Sequence, residues 1–193
     1  QPGVYDKGTA SDTIAKLHRW VPIFRSMSQP TCPIAQAVEK AANALIHIVR
    51  PNYHLNITKT AVSDNLVDAA LAKPLNENDI IPEIMDIGLP SGVAEPIVGM
   101  KVQKSGRTSG YTTGEVMVTD ATLRVSMGEV GDAMFTGQIV TSPIGQPGDS
   151  GSLVLDDQKR AIGLLGAGSD KATICSHISN VLDLLGVELV TVL

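Results

Sequence analysis

Pro147-Gly148-Asp149-Ser150-Gly151-Ser152-Leu153-Val154 decides how the rest of this chain is read. A serine stands between two glycines, directly before an apolar run with the composition of a strand. The glycines let the backbone turn sharply and let another chain come close to the serine. Backbone N–H groups of Gly148 and Ser150 can then converge on one oxygen and stabilise charge developing there. The apolar run Leu153-Val154-Leu155 anchors the loop in a core. The same residues also suit a plain polar turn between two strands, so the choice rests on the rest of the chain.

The 193 residues suit one domain, or two small barrels sharing an interface. Hydrophobic residues at 43% and charged ones at 18% imply a folded core, not disorder. A net charge of −5 with no Lys/Arg run argues against nucleic acid as a partner. No stretch of about 18 apolar residues is present, so no membrane partner is expected. No signal peptide opens the chain; the sequence leaves the compartment open and slightly favours a cytoplasmic one. The sequence starts at Gln1 and not Met, which suggests a processed or trimmed fragment. Cys32 and Cys175 could pair once or remain buried thiols. Neither has a Cys or His at ligand spacing, so no metal is expected. Asp132, Asp156 and Asp157 are loop carboxylates without calcium-ligand spacing. No phosphate-cradling glycine fingerprint occurs, and no cofactor is implied.

Gln1 to Gly8 and Ser26 to Pro33 read as loops, and Thr13 to Phe24 as a strand or strand pair. Ala35, Val38, Ala41, Ala42, Leu45, Ile46 and Val49 recur at helical spacing. That spacing predicts a helix over Ala35–Val49, opened by Cys32-Pro33 and stopped by Pro51. Beyond Lys59 short apolar runs alternate with Gly, Pro, Asp and Asn. Strands are predicted at 66–71, 83–87, 97–102, 114–118, 123–125, 138–140, 152–155, 161–165 and 172–177, an antiparallel barrel or sandwich pattern. A short helix is predicted at Ile178–Leu185, with Ile178, Val181, Leu182 and Leu185 on one face.

A second stretch, Val102-Gln103-Lys104-Ser105-Gly106-Arg107-Thr108-Ser109-Gly110, continues through Tyr111-Thr112-Thr113-Gly114 into Glu115-Val116. As physics it is a glycine- and hydroxyl-rich hairpin. As a residue string it resembles the segment that starts the second barrel in bacterial trypsin-like serine peptidases of the chymotrypsin clan. Three further stretches resemble that family in order. Asn65-Leu66-Val67-Asp68-Ala69-Ala70-Leu71-Ala72 resembles the string bearing the orienting aspartate. Gly163-Leu164-Leu165-Gly166-Ala167-Gly168-Ser169 resembles the strand lining the substrate groove. Gln1-Pro2-Gly3-Val4-Tyr5-Asp6 resembles a loop following the histidine region. The resemblance implies a mostly-β fold, a double antiparallel β-barrel of chymotrypsin type with its first barrel incomplete. It has one inserted helix, within about 30–60, and a short C-terminal helix. Residues 1–100 would hold the remainder of the first barrel and 101–193 the second.

The resemblance makes Ser150 the nucleophile, Asp68 the carboxylate that orients an imidazole, and Gly148 and Ser150 the oxyanion donors. Asp68 lies between Val67 and Ala69-Ala70, an apolar setting in which a lone carboxylate is costly. Ser152 replaces the glycine usual after the nucleophile motif. The resemblance implies that the residue six places before Ser150, Ile144, forms the floor of the specificity pocket, with Ala167 and Gly168 on its wall. No carboxylate is there, so a small or medium apolar side chain is the expected preference over Lys or Arg.

A serine hydroxyl needs a base within hydrogen-bond reach. The family's histidine string is absent. Of His18, His47, His54 and His177, only His18 precedes Asp68 at a fitting separation, and Leu17-His18-Arg19-Trp20 lacks the small-residue loop that should present it. The histidine is therefore expected upstream of Gln1, in a longer peptidase from which self-cleavage or a host enzyme released this chain. Expected partners are a peptide or protein substrate and the chain's own N-terminal segment. The competing readings are a non-catalytic peptide- or partner-binding module on a peptidase fold, and a structural β-domain with an incidental Gly-Asp-Ser-Gly.

Overall fold

The computed structural model describes residues 8–25, 32–57, 64–128 and 131–191. The Gln1–Asp6 stretch and most of the predicted 26–33 loop lie outside them. The chain forms two compact units. One comprises the chain up to Pro22, Leu66–Ala121 and everything from Gly137; the other comprises Ile23–Asn65 and Thr122–Thr136.

The first unit is dominated by a closed barrel. Its strands are β4 (Lys101–Gly106), β5 (Gly110–Ser126), β6 (Asp132–Thr141), β7 (Leu153–Asp156), β8 (Arg160–Gly168) and β9 (Thr173–His177). They run β8-β7-β4-β5-β6-β9, and β9 pairs back onto β8, so the sheet closes on itself. The far ends of β5 and β6 extend into the second unit. A short strand, β3 (Gly92–Val93), pairs in parallel with the start of β8 at Arg160 and Ala161. Closure removes the open edges that a sheet otherwise presents.

Alternation fills the interior. Val102, Val116, Ile139, Ile144, Val154, Ile162, Leu165 and Cys175 form one buried cluster. Each fully buried aliphatic side chain contributes about 1.5–3 kcal/mol. A second cluster joins Val67, Ala69 and Ala161 to Ile178, Val181 and Leu185 of the C-terminal helix α2 (Ile178–Leu185). Helix α2 has the predicted bounds and ends at Gly186, whose left-handed conformation (φ +60°) closes its last turn. A two-stranded ribbon, β1 (Ala15–Trp20) with β2 (Ala70–Pro74), completes the strands of this unit among the described residues. Five of the six β1 residues are exposed.

The second unit holds helix α1, Pro33–Val49, two residues longer at its start than predicted. Pro33 sits in the first turn, where its missing N–H costs nothing. Asn43 binds both backbone groups of Leu55, and the Glu39 carboxylate accepts from the Ile57 N–H at 3.0 Å. These bonds fold the segment after Pro51 back along the helix.

Several local expectations are corrected. Residues 83–87 are not a strand: Ile84 and Gly88 exchange backbone hydrogen bonds around Asp86, which takes φ +65°. The predicted strand at 66–71 begins only at Ala70, and the one at 97–102 only at Lys101. The separate strands at 114–118 and 123–125 are one continuous β5. Cys32 is exposed and Cys175 buried, both as free thiols, so two buried thiols is corrected to one. Burial pushes the Cys175 thiol up to about 12, which makes it unreactive.

Candidate active site

The loop from Gln146 to Ser152 is tied down at several points. Asp149 N–H donates to Gln146 O at 2.9 Å and Ser152 N–H to Asp149 O at 3.0 Å. Gly151 N–H donates to Leu165 O at 2.7 Å, and Leu165 N–H returns to Ser152 O at 2.9 Å, which fixes the loop to β8. Gly148 has φ +101°, and a Cβ there would run into Thr108 Oγ1, so conformation and space both require glycine. Ser150 is exposed at the tip, its hydroxyl 3.3 Å from Gly166 O. The N–H groups of Gly148 and Ser150 have no acceptor among the described residues, whereas that of Asp149 between them is used internally.

Beneath the serine lies a polar cluster that the sequence reading did not single out. The Asp149 carboxylate is 1% exposed. It accepts from Ser109 Oγ at 2.6 Å, Thr108 N at 2.7 Å, Gln146 N at 2.9 Å and Ser109 N at 3.1 Å. Lys104, with no exposed surface, places its ammonium 3.3 Å from Asp149 Oδ2 and also donates to Gly110 O and Ser109 Oγ. Burial alone would raise the Asp149 pKa. The donated hydrogen bonds overcome it and hold the carboxyl far below the usual range. The cluster joins the Ser150 loop to the β4–β5 hairpin. A sequence signal did exist: Lys104 alternates in phase with Val102, which places it on the inward face of a strand that needs an acid nearby.

Asp68 is placed differently. Val67 and Ala69 turn into the core and Asp68 turns out, exposed, so its apolar neighbours point away from it. This corrects the expected apolar setting. It has no hydrogen-bond partner among the described residues, and partial burial pushes its pKa up.

No histidine hydrogen-bonds to Ser150 or Asp68 among the described residues. In the β1–β2 register Trp20 faces Ala70, and Val21 N–H donates to Ala69 O, so Asp68 lies level with Pro22. His18 sits four residues back along β1, at a bulge between Leu17 and Arg19. At about 3.3 Å per residue that is ~13 Å from Asp68 along the strand. His177 ends β9, with Nε2 2.8 Å from Thr119 O. His47 and His54 face each other edge-on in the second unit, ring centroids 6.1 Å apart.

Two clefts diverge from Ser150 and share no other lining residue. One, of about 730 Å³, is lined by Ile144, Leu165, Ala167 and Gly168 among others, so the three predicted pocket residues meet beside Ser150. Ile144 is 2% exposed; Thr173 Oγ1 accepts from its N–H at 3.0 Å, and its carbonyl accepts from Thr112 Oγ1 at 2.6 Å. These hydroxyls hold Ile144 in the wall; the cleft is apolar at Ile144, Leu165 and Ala167 and polar at Gln146 and Asp170. The other cleft, of about 1020 Å³, runs from Gly148 and Ser150 toward Glu77, Glu83 and Glu188.

A closed antiparallel barrel with a glycine-bracketed serine on its rim and a helix behind it is a chymotrypsin-like β-barrel fold. Solved structures of that fold resemble it. Thermobifida fusca protease A aligns with a TM-score of 0.55 at 21% identity, over 74% of this chain and 77% of that one. The Cellulomonas bogoriensis chymotrypsin aligns at 0.53 and 21%, over 74% and 78%. The Nocardiopsis protease aligns at 0.51 and 22%, over 66% and 69%. These likenesses show the fold. No family model matches the sequence, and no curated protein does.

Proposed function

We propose that this chain carries the nucleophile of a serine endopeptidase that works through an acyl-enzyme. The observation that carries the reading is the exposed Ser150 hydroxyl, flanked by two backbone N–H groups without an acceptor among the described residues, where two clefts meet. In the reaction Ser150 Oγ attacks the scissile carbonyl, and the oxyanion that forms is received by Gly148 and Ser150 N–H. A histidine takes the serine proton and passes it to the departing amine. Asp68 orients that histidine, and its charge stabilises the imidazolium. The histidine comes from a segment preceding Gln1, because β1 register keeps His18 away from Asp68 and His177 is engaged with Thr119. The cleft at Ile144, Ala167 and Gly168 receives a small or medium apolar side chain on the acyl side, against its apolar wall at Ile144, Leu165 and Ala167.

A second reading, a peptide-binding module without catalysis, is favoured by the lack of any described histidine bonded to Ser150 or Asp68. Fluorophosphonate labelling followed by intact mass separates the two. It is run on this chain and on the full gene product, each beside its Ser150→Ala variant. A single adduct on the full product alone, lost with Ser150→Ala, supports the peptidase and its upstream histidine. An adduct on this chain places the base within it. No adduct on either leaves the binding module as the better reading.

A further inference from the structure

The larger cleft carries more charged groups than the one at Ile144, whose lining has Asp170 alone. Glu77, Glu83 and Glu188 line it, and none of the three has a hydrogen bond or ion pair among the described residues. Arg107 is the single basic residue on the lining, so carboxylates outnumber cations three to one. Between them lie Ile80, Ile81 and Val190, all more than half exposed. Unpaired carboxylates beside exposed aliphatic surface match a long basic side chain, which lays its methylene stem on apolar atoms and carries its charge at the end. The surface is open at Ser150, and the acyl side already has its own cleft.

We propose that this cleft holds the leaving-group half of an extended substrate and selects segments with Lys or Arg shortly after the scissile bond. The inference rests on the peptidase reading for the direction of the chain, and on the three carboxylates for the class of side chain. Attraction between exposed charges is screened over about 8 Å at physiological ionic strength, so the selectivity falls as salt rises.

The test uses the full gene product carrying Ser150→Ala, with two fluorescent peptides. They are identical in their apolar acyl half and carry either three lysines or three glutamates in the other half. Anisotropy titration is expected to show at least about tenfold tighter binding of the lysine peptide, a tenfold change being 1.4 kcal/mol. The preference should shrink severalfold in high salt and collapse toward unity in the triple variant Glu77→Gln, Glu83→Gln, Glu188→Gln. These are exposed positions, and circular dichroism checks that the triple variant folds. Equal binding of the two peptides, or a preference that survives the triple variant, overturns the proposal. Fluorophosphonate labelling reports on the peptidase reading separately, so a protein that fails to label yet prefers the lysine peptide keeps the cleft and loses only the catalysis.

Discussion

Asp149 and Asp68 stand in the same unit and have opposite surroundings. Asp149 is sealed, receives four hydrogen bonds and the Lys104 ammonium, and is held as a carboxylate. Asp68 is exposed, receives none from the described residues, and is pushed toward its neutral form. The contrast separates two jobs. The turn that presents Ser150 is finished by groups within the chain. The carboxylate expected to orient a base still lacks the donor that would lower its pKa. The turn at Ser150 is thus fully tied down within the chain, while Asp68 has no donor among the described residues.

The largest effect is expected where the finished side is broken. Asp149→Ala leaves the Lys104 ammonium buried without its counter-charge and should cost about 3–5 kcal/mol in urea unfolding. Lys104→Met should cost less, because Asp149 keeps its four other donors. Equal losses would mean that the pair, and not the hydrogen-bond cage, holds the loop. Gly148→Ala forces a Cβ toward Thr108 at φ +101° and should cost about 1–3 kcal/mol. In the labelling-competent full product it should also slow adduct formation far more than it lowers stability; unchanged labelling would remove Gly148 from the oxyanion site.

Titration sharpens the same contrast by sign. The Asp149 pKa is lowered in the fold, so its stabilisation is complete above the ordinary value of 3.8 and fades as pH falls below it. The Asp68 pKa is raised, so its ionised form weighs against folding above that value and the penalty vanishes in acid. Asp68→Asn in this chain should therefore stabilise near neutral pH by only a few tenths of a kcal/mol, given solvent screening, with no effect at low pH. A destabilising Asp68→Asn would show a partner for Asp68 within the chain itself.

Short apolar runs between Gly, Pro, Asp and Asn made an antiparallel barrel or sandwich legible, and the family resemblance chose the barrel; α2 was legible because its apolar residues fall on one face. Ser150, Ile144, Ala167 and Gly168 were singled out from separate local strings, and the fold brings them to the lining of one cleft. Residues 83–87 misled because an apolar run that short between Pro82 and Gly88 fits a loop as well as a strand. Lys104 was passed over because a lysine in a hairpin string reads as solvated. Its alternation with Val102 marks the inward face, but its partner Asp149 stands 45 positions away, and local pattern does not carry that distance.

That buried lysine also makes the loop report on itself. An amine-acylating reagent meets Lys101 at the surface of the same strand, while Lys104 is shut away by the turn that carries Ser150. Lys104 can be modified only in molecules whose Ser150 turn has lifted, and acylation then prevents it from closing again on Asp149. The rate at which that one amine is consumed, followed by peptide mass, is a clock for how often the loop opens.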